Sequence, residues 1–353
     1  MSADRLNKLK EYYGKILRGT KDLKSSACCC NDDELPLSIR RVLQEIDPEI
    51  LDRFYGCGSP IPPALEGRTV LDLGCGTGRD VFIASRLVGP DGFVIGVDMT
   101  DEQVEVGKRH IDSQMRKFGY KEHNVEFRHG YIEDLGAIGI ADNSEDIVIS
   151  NCVINLSPDK RSVFSEIFRV LRPGGELYFS DVFTGRRIPE HFMDDPVLHG
   201  ECLAGAMYIE DFRRLLSDLG CLDYRVMSKR RIFLDNAEID EKAGMIDFYS
   251  MTLRAFKLDS LEDICEDYGQ TAVYLGTIPD NPHRFALDDH HLFIAGKPML
   301  VCGNTASMLG ETRYATHFQL TGNRAAHFGP FGCAPAAARN ENDEGGCCGG
   351  TCC

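Results

Sequence analysis

The sequence predicts an α/β fold, in which a mostly parallel β-sheet carries helices on both faces. From Thr69 onwards, short apolar runs typical of buried strands alternate with longer amphipathic stretches that have helical spacing. The first apolar run leads into a glycine-rich turn at residues 74–78, as expected where a strand gives way to a helix in such a sheet. At 353 residues the chain is long enough for this sheet and a second, smaller domain.

Every strand of the predicted sheet except the third is followed by a helix. The strands are "TVLDLG", "GFVIGVD", "NVEFRHG", "EDIVISN" and "GELYFSDV". The helices are "RDVFIASRLV", "DEQVEVGKRHIDSQMRKFG", "SPDKRSVFSEIFRVL" and "YIEDFRRLLSDLG", the last of which ends in glycine as helices often do. Because helices connect the strands, consecutive strands are expected to run parallel and to present their carboxyl ends at one edge of the sheet.

The sequence divides into four regions. Residues 1–65 are predicted to form an N-terminal helical segment with a cysteine loop around Cys28, and residues 66–230 the sheet domain. Residues 231–335 are predicted to form a smaller α+β or β-rich domain, because "GQTAVYLGTI", "HHLFIAGKPMLV" and "HFQLTG" are typical of β-hairpins. Residues 336–353 are expected to be a disordered tail, since their low-complexity sequence ends in "CCGGTCC".

Composition and charge exclude several classes of protein. A net charge of −16 argues against binding to nucleic acids or anionic membranes, which need a positive face. The sequence has neither an apolar stretch long enough to cross a membrane nor the apolar core of a secretory signal, so we expect a cytoplasmic protein. In that reducing compartment, the 15 cysteines are expected to be free thiols, ligands or redox-active groups.

The turn after the first strand, in "VLDLGCGTGRD", is typical of a ligand-binding loop. Its residues of interest are Asp72, Gly74, Cys75, Gly76, Thr77 and Gly78. Glycines allow a tight turn and let a ligand approach the backbone and the helix N-terminus. The spacing does not match the dinucleotide pattern G-x-G-x-x-G, because Arg79 follows Gly78. Asp98 ends the second strand, where a carboxylate can accept hydrogen bonds from both hydroxyls of a ribose.

This loop resembles that of the class I S-adenosylmethionine-dependent methyltransferases, which have a Rossmann-like sheet. The resemblance is carried by Asp72 ahead of the glycines, by Asp98, and by "LRPGGELYFSD" at the entry to strand five. The alternative is a glycine turn in an unrelated α/β protein. The resemblance implies S-adenosylmethionine as the cofactor. Its expected contacts are Met99 over the adenine, Ile132 and Glu133 at the adenine edge, and Asn151 beside the transferable methyl.

A thiol lies where a catalytic base is expected. An oxygen or nitrogen acceptor needs a positioned base, but the end of strand four offers Cys152, in "SNCVINLSPDK". Cys202, in "VLHGECLAGAMY", follows strand five, and Cys57, in "FYGCG", precedes the sheet. None of the three has the C-x-x-C spacing of a zinc site. Three thiols that converge from separate segments suit a soft, thiophilic centre, and this convergence is inferred from topology.

The cysteine-bearing motifs resemble those of the arsenite S-adenosylmethionine methyltransferases. The matching motifs are "YYGKIL", "FYGCG", "IGVDMT", "HGYIEDLG", "SNCVINLSPDK", "GGELYFSDV" and "GECLAGA". The resemblance runs from Tyr12 to Met207 and more loosely to about residue 330. It implies a methyltransferase that acts on trivalent arsenic, for arsenic detoxification. It also implies that Tyr13, Gly14 and Tyr55 line the cofactor pocket.

The resemblance further assigns the thiols. Cys57, Cys152 and Cys202 match the family's As(III)-binding residues, and Cys28 matches a fourth, redox-active cysteine, for which Cys29 or Cys30 could substitute. The arsenic lone pair would attack the sulfonium methyl, and a Cys28–Cys57 disulfide would return the electrons to arsenic. Glutathione or thioredoxin would then reduce that disulfide. The expected substrates are trivalent arsenic or its glutathione conjugates, with no nucleic acid or membrane partner, and the expected state is a monomer.

Other cysteines and histidines have simpler interpretations. Cys75, Cys221, Cys265 and Cys302 are expected to be small structural residues. His283 and the pair His290–His291 are expected at the surface, because neighbouring residues of a strand point to opposite faces. The cysteines of the tail either capture metalloid and exchange disulfides or have no role, and the absence of a basic stretch disfavours prenylation.

Two other functions fit the same sequence. One is an ordinary small-molecule methyltransferase whose cysteines are structural or redox-regulatory. Such an enzyme would keep its activity on an organic acceptor after Cys152→Ser and Cys202→Ser. The other is a non-enzymatic metalloid-binding protein with an inert glycine loop, which would fail to bind S-adenosylmethionine.

Overall fold

The structure is a computed structural model that describes residues 35–52, 56, 58–195, 198, 203–234 and 237–332. Among the residues described, two short helices precede the sheet: α1 (Leu37–Leu43), which starts after Pro36, and α2 (Pro48–Leu51). In α2 the Asp47 side chain accepts a hydrogen bond from the Glu49 N–H at 3.1 Å, which satisfies a donor that the first helical turn leaves open. The predicted helical character of the N-terminal region is thus found in its described part.

The central sheet has eight strands, and its first five form a parallel core. These are β1 (Thr69–Leu73), β2 (Phe93–Asp98), β3 (Val125–His129), β4 (Glu145–Asn151) and β5 (Leu171–Thr184). The spatial order begins β3-β2-β1-β4-β5, so the chain reverses direction across the sheet between β1 and β4. Ligands of doubly wound sheets bind at the carboxyl edge beside such a switch point. The predicted α/β class is confirmed.

In the described part of the chain, three helices connect these strands and a fourth follows β5. They are α3 (Arg79–Val88), α4 (Asp101–Phe118), α5 (Lys160–Val170) and α6 (Ile209–Asp218). In α5 the Asp159 side chain caps the N-terminus through a 3.0 Å bond from the Ser162 N–H. Helix α4 ends at Gly119, which takes the left-handed conformation that glycine adopts most easily. The apolar residues buried by α3 and α4 form one core cluster with the sheet, and those buried by α5 and α6 form another.

Three further strands complete the sheet around β5. Strand β6 (Met207–Tyr208) pairs parallel with the end of β5, β8 (Phe248–Phe256) pairs antiparallel with β5, and β7 (Tyr224–Ile232) pairs antiparallel with β8. Strand β8 pairs with β5 from residue 248 to 256, and α7 (Ala237–Ala243) links β7 to β8. The sheet therefore continues past residue 230, where the strand–helix rhythm of the sequence ends.

The C-terminal region contains the predicted hairpin strands. An antiparallel sheet in the order β12-β9-β13 combines β9 (Gln270–Tyr274), β12 (Pro298–Val301) and β13 (Phe318–Thr321). A separate hairpin pairs β10 (Arg284–Ala286) with β11 (Leu292–Ile294), and α8 (Gly303–Gly310) follows β12. The buried rings of Tyr274, Phe285, Phe293 and Phe318 pack together beneath these strands. The predicted antiparallel character of this region is confirmed.

A buried ionic network fixes the C-terminal region to the central sheet. Arg254 on β8 donates to Glu176 on β5 at 2.6 Å, to the Tyr314 hydroxyl at 2.7 Å and to the Leu287 carbonyl at 2.8 Å. Arg254 and Glu176 are both fully buried. Because every partner belongs to a different segment, the network holds both regions in one arrangement. No helix of the described residues combines the length and apolar character needed to span a membrane.

Candidate functional site

A cavity lies at the carboxyl ends of β1 to β4. Among the residues predicted to contact a cofactor, those that line it are Asp72, Gly74, Cys75, Gly76, Thr77, Asp98, Met99, Ile132, Glu133 and Asn151. Cys152 also lies in the wall. Residues from four strand ends thus meet at the switch point of the sheet, as their positions in the sequence predicted.

The three glycines of the loop have left-handed backbone conformations, and two of them also lie very close to neighbouring side chains. Gly74 has φ +71°, and a Cβ there would lie 2.3 Å from a methyl of Val153. Gly78, the N-cap of α3, has φ +97°, and its Cβ would lie 2.4 Å from the Phe127 ring. Any larger residue would be strained by its backbone and would displace a neighbour. Gly78 does not line the cavity but shapes the loop that does.

Asp98 connects the end of β2 to this loop. Its carboxylate accepts the Gly76 N–H at 2.9 Å and the Thr100 N–H at 2.8 Å. Burial raises the pKa of Asp98, and the two N–H donors oppose that rise. The position and orientation of this carboxylate are therefore set by backbone groups on both sides of the cavity.

Two further carboxylates make the cavity strongly acidic. Asp72 is buried at the end of β1, and burial raises its pKa well above the usual range, with Asp80 and Asp98 adding to the effect. Asp80, in the first turn of α3, also has a pKa raised by burial, although Arg79 at 3.2 Å opposes the shift. A carboxylate cluster that burial destabilises favours a cationic ligand, because a positive charge offsets the lost hydration.

The opposite wall is formed by the ends of β2 and β3 and the turn after β4. Met99 is partly buried, and its carbonyl lies 2.9 Å from the His129 ring nitrogen Nε2. Glu133 accepts a short 2.5 Å hydrogen bond from Ser157. That bond ties the end of β3 to the segment that follows Cys152, so the thiol-bearing turn and the cofactor-side wall are held together.

Cys152 has an unusual backbone in this wall. Its φ is +56°, a conformation that L-residues other than glycine adopt at a cost, and its N–H donates to the Ser180 carbonyl at 2.8 Å. The side chain is only 3% exposed. Its sulfur is in a disulfide. Strained residues are frequent at functional sites, where packing holds them.

Comparison with known proteins identifies the family. Residues 65–220 match the model of a methyltransferase domain, and residues 268–353 match that of the arsenite methyltransferase C-terminal domain. The arsenite methyltransferase of Aquipseudomonas alcaligenes is 49% identical over 92% of this chain and 93% of its own length. That of Homo sapiens is 41% identical, over 88% and 82% respectively. The chain belongs to the arsenite methyltransferase family.

A solved structure of a family member has the same fold. The crystal structure of CrArsM, an arsenic(III) S-adenosylmethionine methyltransferase from Chlamydomonas reinhardtii, superposes with a TM-score of 0.82 and 52% sequence identity. The match covers 84% of this chain and 99% of that one. The arsenite methyltransferase family predicted from the sequence is confirmed, as is its S-adenosylmethionine-dependent methyltransferase domain.

Several residues that the family resemblance assigned lie outside the described part of the chain. They are Tyr13, Gly14, Cys28, Tyr55, Cys57 and Cys202. Their assignments in this arsenite methyltransferase family member stay predictions. Their described neighbours Gly56, Gly58, Leu203 and Gly205 are placed, however, and Gly56 lines the cavity.

The sequence interpretation missed some residues of the cavity. The additional lining residues are Gly56, Arg79, Asp80, Thr100, Gln103, Gly130, Tyr131, Val153, Leu156 and Ser157. Arg79 and Asp80 follow directly on Gly78, and Thr100 and Gln103 open the helix after Asp98, so extending each motif by two to five residues would have found them. Val153 and Leu156 carry no such signal, because only the turn after β4 brings them to the cavity.

Apart from Cys152, the cysteines of the described residues have structural surroundings. The Cys75 side chain faces the sheet against Gly96, and burial, then Asp98 and Asp72, raise the pKa of its thiol. Burial and Asp223 raise the pKa of Cys221 to about 12. Cys302 is the N-cap of α8, and its sulfur accepts the Thr305 N–H at 3.4 Å. Cys265 is partly buried. These environments agree with the expected structural interpretation.

The expectation of surface histidines is wrong for His290 and His291. Both side chains are more than nine-tenths buried, in the turn between β10 and β11 rather than in a strand. Asp288 accepts from both backbone N–H groups and lies 2.8 Å from His291 Nδ1, while Arg225 donates to it at 3.2 Å. The ligand atoms of Asp288, His290 and His291 are close enough together to bind one metal ion. However, the Asp288 carboxylate is already neutralised by Arg225. His283 is exposed, as expected.

Proposed function

We propose that this protein transfers methyl groups from S-adenosylmethionine to trivalent arsenic bound by cysteine thiolates. The observation that carries the proposal is a single cavity whose wall contains both the glycine loop with Asp98 and, from the turn after β4, Cys152. Donor and acceptor would therefore be held at one sheet edge, which replaces a bimolecular encounter by an oriented transfer. Membership of the arsenite methyltransferase family supports the choice of acceptor.

Two independent features of the cavity suit S-adenosylmethionine: an open backbone position in the glycine loop and buried carboxylates. Position 76 has left-handed backbone geometry with no atom within 4 Å of an added Cβ, so the loop leaves room for a ligand at its backbone. The raised pKa of Asp72, caused by burial and then by Asp80 and Asp98, shows carboxylates that a cation would stabilise. When bound, the cofactor supplies an activated methyl group on a positively charged sulfur. Asp98 would accept the ribose hydroxyls, and Met99, Ile132 and Glu133 would enclose the adenine.

The protein's own contribution to the arsenic chemistry is thiolate binding. Cys152, together with Cys57 and Cys202, would replace the three oxygen ligands of arsenite, and each new As–S bond would release water. A three-coordinate As(III) retains a lone pair, which acts as the nucleophile. No base is then required, which accounts for a thiol in the position where other methyltransferases place a proton acceptor.

Methylation converts As(III) to As(V), so continued turnover needs two electrons. Cys28 and Cys57 would supply them by forming one disulfide, and As(V) would return to As(III) as their S–S bond forms. Glutathione or thioredoxin would then reduce the disulfide, which fits the cytoplasm. The disulfide at Cys152 would also have to open before arsenic binds. We further infer that the protein works as a monomer, that the part of residues 231–335 that follows β8 shields the site, and that the tail is a separate segment.

The direct test supplies the purified, reduced protein with S-adenosylmethionine, arsenite and a thiol reductant, and measures methylated arsenicals by chromatography with elemental detection. We expect mono- and dimethylated products, and Cys152→Ser should abolish them while cofactor binding persists. Cys221→Ser is the matched control, because this buried thiol lies behind β8 and away from the cavity. A protein that binds the cofactor but forms no methylated arsenical under these conditions would overturn the proposal.

A second experiment separates the roles of the thiols. Cys28→Ser and Cys57→Ser are expected to impair methylation of inorganic arsenite more than methylation of monomethylated As(III), which needs fewer thiolates. Equal losses on both substrates would contradict this division. Full activity of Cys152→Ser on an organic acceptor would instead favour an ordinary small-molecule methyltransferase. Failure to bind S-adenosylmethionine would favour a metalloid-binding protein.

A further inference from the structure

The side chain of Asn151 is bonded to the backbone of Gly58, which lies 93 positions earlier in the chain. Its Nδ2 donates to the Gly58 carbonyl at 2.8 Å, and its Oδ1 accepts the Gly58 N–H at 3.2 Å. Nδ2 also lies 3.1 Å from Asp80 Oδ2. Asn151 is thus more than a residue beside the cofactor, because its carboxamide satisfies both backbone groups of another segment.

The segment around Gly58 is seated closely on the sheet. A Cβ at Gly58 would lie 2.3 Å from Ser180 Oγ, so the backbone packs directly against β5. Ser180 in turn shares a 2.8 Å hydrogen bond with Thr252 on β8. Asn151 on one side and Ser180 on the other therefore restrict where residue 58 can lie. In the chain, residue 58 is the next residue after Cys57.

Asn155, four residues after Asn151 in the turn that follows β4, contacts a second segment, at Gly205. A Cβ at Gly205 would lie 2.0 Å from the Asn155 carbonyl oxygen, so the two backbones are in direct contact. Asn155 is itself fixed, since its Nδ2 donates to Asp181 at 2.7 Å and its N–H donates to the same carboxylate at 3.1 Å. In the chain, residue 205 follows Cys202 by three positions.

We infer that the turn from Asn151 to Asn155 is the positioning element of the thiol site. Asn151 is hydrogen-bonded to the segment that follows Cys57, Asn155 packs against the segment that follows Cys202, and Cys152 lies between them in the chain. The inference rests on the proposed arsenic-binding role of these three cysteines. Three sulfurs that must bond one small atom tolerate little displacement, so fixing their segments in advance removes an ordering cost from binding. Asn151 and Asn155 are positioning residues and bond no substrate themselves.

The Asn151–Asp80 contact extends the role to the cofactor side. Asp80 belongs to the first turn of α3, directly after the glycine loop. The Asn151 carboxamide therefore contacts both the helix that follows the cofactor loop and the segment that follows Cys57. It holds these two parts of the site in one relative position. Removal of this carboxamide should therefore affect arsenic binding even when no cofactor is present.

The test measures arsenic binding by the reduced full-length protein without cofactor. As(III) titrations followed by thiolate–arsenic absorbance give the affinity, and X-ray absorption gives the number of sulfur ligands. For Asn151→Ala and for Gly205→Ala we expect affinity to fall about tenfold or more, the effect of losing one charged or buried contact. We also expect the mean number of As–S bonds to drop from three towards two.

Ser150→Ala is the matched control. Ser150 lies on the same strand end and donates a 3.1 Å bond to the Leu73 carbonyl, so its loss perturbs the buried edge without touching residue 58 or 205. This variant should bind arsenic with three sulfurs and unchanged affinity. Gly205 does not line the cavity, so Gly205→Ala should also keep its affinity for S-adenosylmethionine, which a collapsed site would not.

The outcomes are distinguishable. If Asn151→Ala and Gly205→Ala bind arsenic as tightly as the wild type and with three sulfurs, the positioning role is overturned. If Ser150→Ala loses binding equally, the effect is general destabilisation and the inference fails. If the wild-type protein binds S-adenosylmethionine but not As(III), the proposed function itself fails, irrespective of the variants.

Discussion

The carboxylate of Asp98 accepts the backbone N–H of Gly76 at 2.9 Å, which links the end of β2 to the glycine loop. A second bond at 2.8 Å, from the Thr100 N–H, holds the same carboxylate at the start of α4. Three chain segments around the cavity therefore share one side chain. Removal of the Asp98 carboxylate should therefore alter the shape of the glycine loop and weaken the binding of any ligand hydroxyl groups that the carboxylate accepts.

Asp98→Ala is accordingly expected to weaken S-adenosylmethionine binding by about 10- to 100-fold, the range for hydrogen bonds to a charged group. Isothermal titration calorimetry measures the change. Asp112→Ala serves as the control, because Asp112 lies on the exposed face of α4 and pairs only with His123 among the contacts seen. Equal affinities of the Asp98 variant and the control would show that the cofactor is held elsewhere.

Gly74→Ala tests the close approach of Val153 to the glycine loop. The new Cβ would meet a Val153 methyl at 2.3 Å, and φ +71° adds a backbone cost of about 1 kcal/mol. Gly67→Ala is the matched control: Gly67 has φ +66° but no atom within 4 Å of an added Cβ. The positive φ should lower the free energy of unfolding by a similar amount in both variants. Only Gly74→Ala should also weaken cofactor binding, by tenfold or more in the same calorimetric titration. A comparable loss in both would assign the effect to backbone strain alone.

The sequence predicted the features that short patterns encode. The alternation of strands and helices predicted the sheet, and motifs of a few residues predicted the glycine loop, Asp98 and the position of Cys152. The bonds of Asn151 to Gly58 could not be predicted, because they join residues 93 positions apart. The burial of His291 likewise depends on Asp288, which is paired with distant Arg225. Strand β8 pairs antiparallel with β5. It lies outside the alternation of strands and helices, so the sequence pattern did not predict that it belongs to the central sheet.

Arg254→Ala should lower the free energy of unfolding by about 3 kcal/mol, because it removes one of the two cations that contact the fully buried Glu176, while Arg313 remains. Chemical denaturation measures this loss. The control is Arg161→Ala, since Arg161 and Asp218 form an exposed pair that contributes about 1 kcal/mol at most. Neither residue lines the cavity, so cofactor affinity at low denaturant should be unchanged in both. An Arg254 variant as stable as the control would refute a stabilising role of the network.

Asp181 should make stability depend on pH. Burial raises its pKa to about 7, while the N–H groups of Val182 and Asn155 and the charge of Lys160 oppose the rise. The folded protein therefore retains a proton up to about pH 7 that the unfolded chain releases near its ordinary pKa of 3.8. Between these values the unfolded state binds fewer protons, so this group's contribution to stability is complete below about pH 4 and declines as the pH rises.

Asp181→Asn removes that titration while it keeps a side chain of similar shape. The free energy of unfolding of the wild type, minus that of the variant, should decrease between pH 4 and 7 by at most about 1.4 kcal/mol per pH unit and level off above pH 7. Denaturant titrations at one-unit pH intervals provide the comparison. Asp218→Asn, at an exposed site, should show no such slope. If the difference in the free energy of unfolding between the wild type and Asp181→Asn does not change with pH, the Asp181 carboxyl has the same pKa in the folded and unfolded states, and the prediction is wrong.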